Sequence, residues 1–244
     1  NCSSVCMSCI LLQETEVNPD NVDNVDSDGV AQGNPEAKTA PAVACVPIPV
    51  LSQALMTTVC CSEGRTGFRV DPQRCEIVRI LLEAGADVGF QDVKQQSPIH
   101  GAARNGYTDL VEVLVEAKAN PSAEDVITYT PCCMAAESNH THTLRALIEA
   151  KGDANVGCGN GWRPIVAAGF SGFVEIAQIL VESKADLELP QHGNTTATLM
   201  AAEKGHLETL RLLLQSKTDP NLPKDGGYTP LFMAAQFGQA DNVR

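Results

Sequence analysis

Apolar residues recur along this chain in pairs at a fixed step. Leu81-Leu82, Leu114-Val115, Leu147-Ile148, Leu180-Val181 and Leu213-Leu214 each lie 33 residues from the next. Three further markers keep the same step. The first is a Thr-Pro dipeptide or its equivalent, at Ser97-Pro98, Thr130-Pro131, Arg163-Pro164, Thr196-Ala197 and Thr229-Pro230. The second is a small pair, at Ala102-Ala103, Ala135-Ala136, Ala168-Gly169, Ala201-Ala202 and Ala234-Ala235. The third is a turn residue, at Gly106, Asn139, Gly172, Gly205 and Gly238. Four markers in one register define an internal repeat.

Each unit predicts two short helices. Thr229 can cap the free amides of a helix start, and Pro230 fits the first helical position. The small pair lets first helices of neighbouring units approach closely, and Gly238 ends the helix in a left-handed turn. In the unit at 93–125 the spacing predicts a second helix over Leu110 to Glu116. A polar stretch then carries the chain to the next unit. So short a pair cannot bury its apolar face alone, so it must stack on its neighbours. The register gives units at 93–125, 126–158, 159–191 and 192–224, with a truncated unit at 225–244.

The two ends depart from this pattern. Residues 10 to 40 are acidic and poor in apolar residues, so a disordered, Cys-containing tail is expected over 1–48. Residues 41 to 61 turn apolar, but Pro47, Pro49, Ser52, Gln53, Thr57 and Thr58 interrupt them, which argues against a membrane span of about 20 apolar residues. A divergent lead-in unit is expected over 49–92. Pro49 would begin its first helix, residues 62–73 would form an inserted loop, and Cys75 to Ala84 would be its second helix. At the other end the next Leu-Leu pair would fall beyond Arg244, so further repeats are expected to follow.

Composition narrows the functions. The chain is 43% apolar but only 4% aromatic, so Ala, Leu and Val must supply the packing. A net charge of -13 is a poor match for a phosphate backbone or an anionic membrane surface. Ten scattered cysteines, with adjacent pairs at Cys60-Cys61 and Cys132-Cys133, suggest reduced thiols in a cytoplasmic or nuclear setting. Cys2, Cys6 and Cys9 have the spacing of iron-sulfur ligands in radical enzymes that use S-adenosylmethionine. No barrel sequence follows them, and a solvated tail or a lipid attachment is the alternative. His140-x-His142 could hold a metal but is expected in a surface turn. No phosphate loop, acid-base pair or positioned nucleophile is evident, so neither an enzyme nor a cofactor nor a small-molecule substrate is expected.

The repeat resembles the ankyrin family, whose unit carries Thr-Pro-Leu-His-x-Ala. Ser97-Pro98-Ile99-His100-Gly101-Ala102 and Thr229-Pro230-Leu231-Phe232-Met233-Ala234 carry the likeness, as does Leu82-Glu83-Ala84-Gly85-Ala86-Asp87-Val88. It covers about residues 75 to 244. It implies an all-α ankyrin-repeat solenoid, a curved stack of helix pairs with hairpin fingers on one side. It implies a structural hydrogen-bonding role for His100, and His206 also looks structural. Lys118, Lys151, Lys184 and Lys217 stand where the family has Gly, as at Gly85. A left-handed L-residue costs about 1 kcal/mol there, and the helix dipole returns part of it. Gly152 could let one of these corners shift by a residue.

The resemblance further implies a protein-protein interaction scaffold or adaptor whose variable finger residues and first-helix ends form a concave recognition surface. Gln96, Tyr129, Trp162, Thr195 and Tyr228 precede the Pro markers. Arg104, Glu137, Phe170, Lys204 and Phe237 stand at first-helix ends, and Lys94, Val126, Ile127 and His192 lie on the fingers. Tyr129, Trp162 and Phe170 are expected to cluster as aromatic anchors, although an aromatic in that slot can simply cover the adjacent finger. Tyr107 and Phe173 are expected to be packing residues. The alternative is the recognition arm of a larger enzyme, a kinase or ubiquitin ligase, or of a membrane protein.

Overall fold

The computed structural model describes residues 47–60, 72–157 and 161–239. The expected tail and most of the expected inserted loop lie outside the described residues. Within them the chain forms eleven helices: α1 Ile48–Cys60, α2 Pro72–Glu83, α3 Pro98–Asn105, α4 Thr108–Glu116, α5 Pro131–Glu137, α6 Thr141–Glu149, α7 Pro164–Ser171, α8 Val174–Glu182, α9 Ala197–Lys204, α10 Leu207–Gln215 and α11 Pro230–Gln236. Two isolated antiparallel bridges, Gln191 with Thr195 and Lys224 with Tyr228, are the only β pairing among the described residues. The structure is all-α.

The helices pair in order, α1 with α2 through to α9 with α10. The first helix of each pair packs on the first helix of the next, and the second on the second. Ile99, Leu110, Leu114, Leu144, Leu147, Ile176, Leu180 and Leu213 are fully buried between them, each such side chain contributing roughly 1.5–3 kcal/mol. Leu55, Val59 and Val78 place α1 and α2 in the same core. Gly169 shows how tightly first helices meet, since a Cβ there would lie 2.5 Å from the Ala197 carbonyl oxygen.

Four boundaries differ from the sequence expectation. α2 ends at Glu83 instead of Ala84, and α4 begins at Thr108 instead of Leu110. α1 begins at Ile48 instead of Pro49, and α2 begins at Pro72 instead of Cys75. The expected loop over 62–73 therefore ends before Pro72, because proline at the first helical position starts the helix there. The lysine corners hold: Lys118, Lys151, Lys184 and Lys217 have φ of 68°, 68°, 60° and 68°. The corner at Lys151 does not move to Gly152. Gly152 N donates to Leu147 O at 2.8 Å, as Ala119 N does to Leu114 O, which closes the same helix end.

Caps and cross-links fix the register between pairs. Thr130, Thr196 and Thr229 accept on their hydroxyls from Cys133, Leu199 and Phe232 amides. Arg163 makes no such cap; its guanidinium reaches the carbonyls of Asn155 and Pro190 instead. His140 Nε2 donates to Arg104 O at 3.1 Å and His206 Nε2 to Phe170 O at 2.9 Å, so each ring lies over the preceding unit's turn. A Cβ on Gly106 would meet the His140 ring at 2.5 Å, which is why that left-handed turn needs glycine. In the polar stretches, Asp87, Asn120, Asp153, Asp186 and Asp219 each accept from the amide two residues on. The amides of Asp153, Asp186 and Asp219 in turn donate to Ser122, Asn155 and Glu188 of the unit before.

Candidate functional site

Among the described residues, fingers join one pair to the next. Asp92 N donates to Gln96 O and Asp125 N to Tyr129 O, both at 3.0 Å, closing the first two hairpins. Their tips need left-handed backbone, at Gln95, Thr128, Gly161, Asn194 and Gly227, again 33 residues apart. Thr128, at φ 59°, is β-branched and adopts this conformation at a cost of about 1–2 kcal/mol. Asp125 holds it: Oδ1 accepts from the Ile127 and Tyr129 amides, and Oδ2 accepts from Gln96 Nε2 at 2.8 Å. Val126 N donates to Lys94 O, so the first two fingers are bonded to each other directly.

His100 supports the second finger from below. Ser97 N donates to its Nδ1 at 3.1 Å, which leaves the proton on Nε2, facing Ala123 O at 3.0 Å and Tyr129 O at 3.2 Å. Burial lowers the basicity of this imidazole, and the carbonyls of Tyr129 and Ala123 only partly offset that. One unit later Cys133 takes the slot, and its thiol donates to Val156 O at 3.1 Å. Val166, Leu199 and Phe232 fill the slot in the remaining units.

The first two fingers and the ends of α3 and α5 enclose a groove of about 420 Å³. Lys94, Gln96, Arg104, Val126, Ile127, Tyr129 and Glu137, all singled out from the sequence, line it together with Asp125, Met134 and Ser138. Val126 and Ile127 are each 58% exposed, Met134 is buried in the floor, and Tyr129 is half-buried in the wall. Arg104 Nη2 approaches Met134 Sδ at 3.6 Å.

Further along, the same side of the molecule carries a band of rings and lysines. Trp162 meets Phe170 edge-on, with centroids 5.3 Å apart. Lys204 Nζ sits 5.0 Å from the Phe170 centroid, and Lys224 Nζ 5.7 Å from that of Tyr228. Tyr228 and Phe232 are 5.0 Å apart. Glu203 binds both lysines, at 3.0 Å and 3.7 Å. Of the expected anchors, Trp162 and Phe170 therefore touch, while Tyr129 lines the groove one finger earlier. Phe170 and Tyr228 are 40% and 42% exposed, Phe237 and His192 are exposed, and Tyr107 and Phe173 are half-buried against the core.

Thr195 is buried at the foot of its hairpin. Its short side chain does not reach the outer surface as the longer residues in that slot do. Sequence reasoning missed Met134, Lys224 and Phe232. Lys224 occupies the finger slot of Asp92 and Asp125, and that register was the available signal. Glu203 stands with Lys204 at a first-helix end of the register, but its pairing with lysines from two different elements is not visible there.

A second groove, of about 490 Å³, lies between α6 and α8 and is lined by His142, Arg145, Val174, Glu175 and Gln178 among others. It is larger, but its cation Arg145 is already paired with Glu182 at 3.2 Å. No disulfide joins Cys60, Cys75, Cys132 or Cys133. Burial pushes the Cys132 thiol up to about 12, which keeps it protonated and unreactive. Among the described residues no helix is long and apolar enough to cross a membrane.

A family model described as ankyrin repeats (3 copies) matches residues 99–191, and one described as ankyrin repeats (many copies) matches residues 199–243. Together they cover more than half of the chain. No curated protein matches the chain.

Proposed function

The chain belongs to the ankyrin-repeat family, whose repeats are generally protein-protein interaction modules, and from that premise we propose that it is a non-catalytic scaffold or adaptor holding a partner protein on its finger face. The observation that carries this reading is the groove between the first two fingers. Exposed aliphatic side chains stand there over an apolar floor, with charged residues at the rim, which is the make-up of a docking hot spot. The aromatic band extends the same face. Repeat boundaries at 93, 126, 159, 192 and 225 are part of the proposal, as is a lead-in repeat at 49–92.

The geometry also selects the variants that test it. Tyr129 and Trp162 are half-buried against the core, so replacing them would disturb the fold. Val126, Ile127 and Phe170 are exposed. A triple variant with serine at these three positions is expected to keep its circular dichroism and melting temperature and to lose partners in a pull-down. Retention of every partner by the folded variant would overturn the assignment of the finger face.

A further inference from the structure

The groove between the first two fingers has two cations at its rim, Lys94 on the first finger and Arg104 on the last turn of α3. Among the described residues neither is in an ion pair with a carboxylate; Arg79, Arg145, Lys204, Arg211 and Lys224 are, while the corner lysines Lys118, Lys151, Lys184 and Lys217 are not but do not line this groove. What sets Lys94 and Arg104 apart is that both face one groove beside exposed aliphatic side chains. The nearby acid Asp125 is within ion-pair distance of neither; its oxygens accept from two backbone amides and the Gln96 amide. Glu137 occupies the slot of Arg104 one unit later and lines the groove from the end of α5. The groove thus carries two cations and the Glu137 carboxylate beside apolar surface at Val126, Ile127 and Met134, with Arg104 Nη2 reaching Met134 Sδ at 3.6 Å.

We propose that this groove takes a short peptide segment of the partner protein in which a carboxylate stands beside a bulky aliphatic or aromatic side chain. The carboxylate faces Lys94 and Arg104, and the apolar side chain lies between the Val126-Ile127 edge and Met134. Glu137 disfavours a second carboxylate near it. A nucleic acid is a poorer fit, since two cations on a chain of net charge -13 cannot neutralise a run of phosphates. A purely apolar segment would leave both cations unmatched. The inference rests on the finger face being the docking surface.

The test is to pan the purified chain against a phage-displayed library of random short peptides, then measure synthetic copies of the enriched sequences by fluorescence anisotropy. Enriched peptides are expected to carry Asp or Glu next to Leu, Ile, Met, Phe or Trp. The double reversal Lys94→Glu with Arg104→Glu is expected to weaken them by about tenfold or more and to shift enrichment toward Lys and Arg. Val126→Ser with Ile127→Ser is expected to remove binding. If the serine pair abolishes binding but the charge reversal changes nothing, the finger face stands as a docking surface and the carboxylate rule is wrong. If no peptide is enriched, or neither variant affects those that are, both readings fall.

Discussion

Two stretches of the finger face are built on the same backbone and offer opposite chemistry. At the groove of the first two fingers, the cations Lys94 and Arg104 have no carboxylate partner among the described residues and stand beside exposed aliphatic side chains. In the later band, Lys204 and Lys224 are both held by Glu203 and stacked near Phe170 and Tyr228. The groove keeps its charge available to a ligand, while the band consumes its charge internally and presents rings. The supports differ as well. A buried histidine and a strained Thr128 hold the second finger, whereas Leu199 and Gly227 fill the matching slots of the band. A solenoid thus separates what holds the face in place from what the face recognises.

The largest expected effect tests whether one core carries both stretches. Leu147 is fully buried, and Leu147→Ala should cost about 2–5 kcal/mol in chemical denaturation. Peptide binding and partner capture should then fail together, at the same denaturant concentration. The next effect separates the stretches. Lys94→Glu with Arg104→Glu should weaken the carboxylate-bearing peptide about tenfold, close to 1.4 kcal/mol, with a change in stability within about 0.5 kcal/mol. Smaller still is the release of strain at Thr128: Thr128→Gly should raise stability by about 1 kcal/mol, measured by the denaturation midpoint, whereas the matching tip Gly227 has no such strain to release. Lys204→Ala should cost about 0.5–1 kcal/mol through the lost contact with Phe170 and leave peptide binding in the groove unchanged.

The pH response should be local, and its direction follows from His100. Burial holds its folded pKa below the usual 6.5, so the unfolded chain takes up the proton first. The stabilisation is complete above that value and is lost as pH falls below it, through the folded pKa. His140 is depressed by burial in the same sense. Hydrogen exchange between pH 7.5 and 5 should therefore quicken at residues 125–129 before residues 224–228, because Leu199, which fills the matching slot for that finger, does not titrate. Uniform quickening of both fingers would remove this distinction between the stretches.

Much of this was legible in the amino acids, because a solenoid writes its contacts at one short period. The Thr-Pro starts, the small pairs and the lysine corners each fell where the 33-residue step put them. The groove residues from Lys94 to Glu137 were legible too, since a finger tip and a helix end keep fixed places in the unit. What escaped was pairing between side chains of different units. Lys204 with Phe170, and His140 with the Arg104 carbonyl, depend on the offset between stacked units and not on either local sequence. Thr195 was misplaced for a related reason: its slot faces outward for a long side chain, and threonine is too short to follow. Asn120 and Asp153 fall in what the sequence shows only as a polar stretch, and their turns pin it.

The central claim is that partners dock on the finger side and not on the outer helices, where the larger groove of His142 and Arg145 lies. Its most direct test places a photo-crosslinking amino acid at Ile127 in one variant and at His142 in another, and illuminates living cells. Both positions are exposed, so reagent access does not bias the result. Discrete adducts to a partner from position 127, with none from 142, are expected. Adducts from position 142 with none from 127 would contradict the claim.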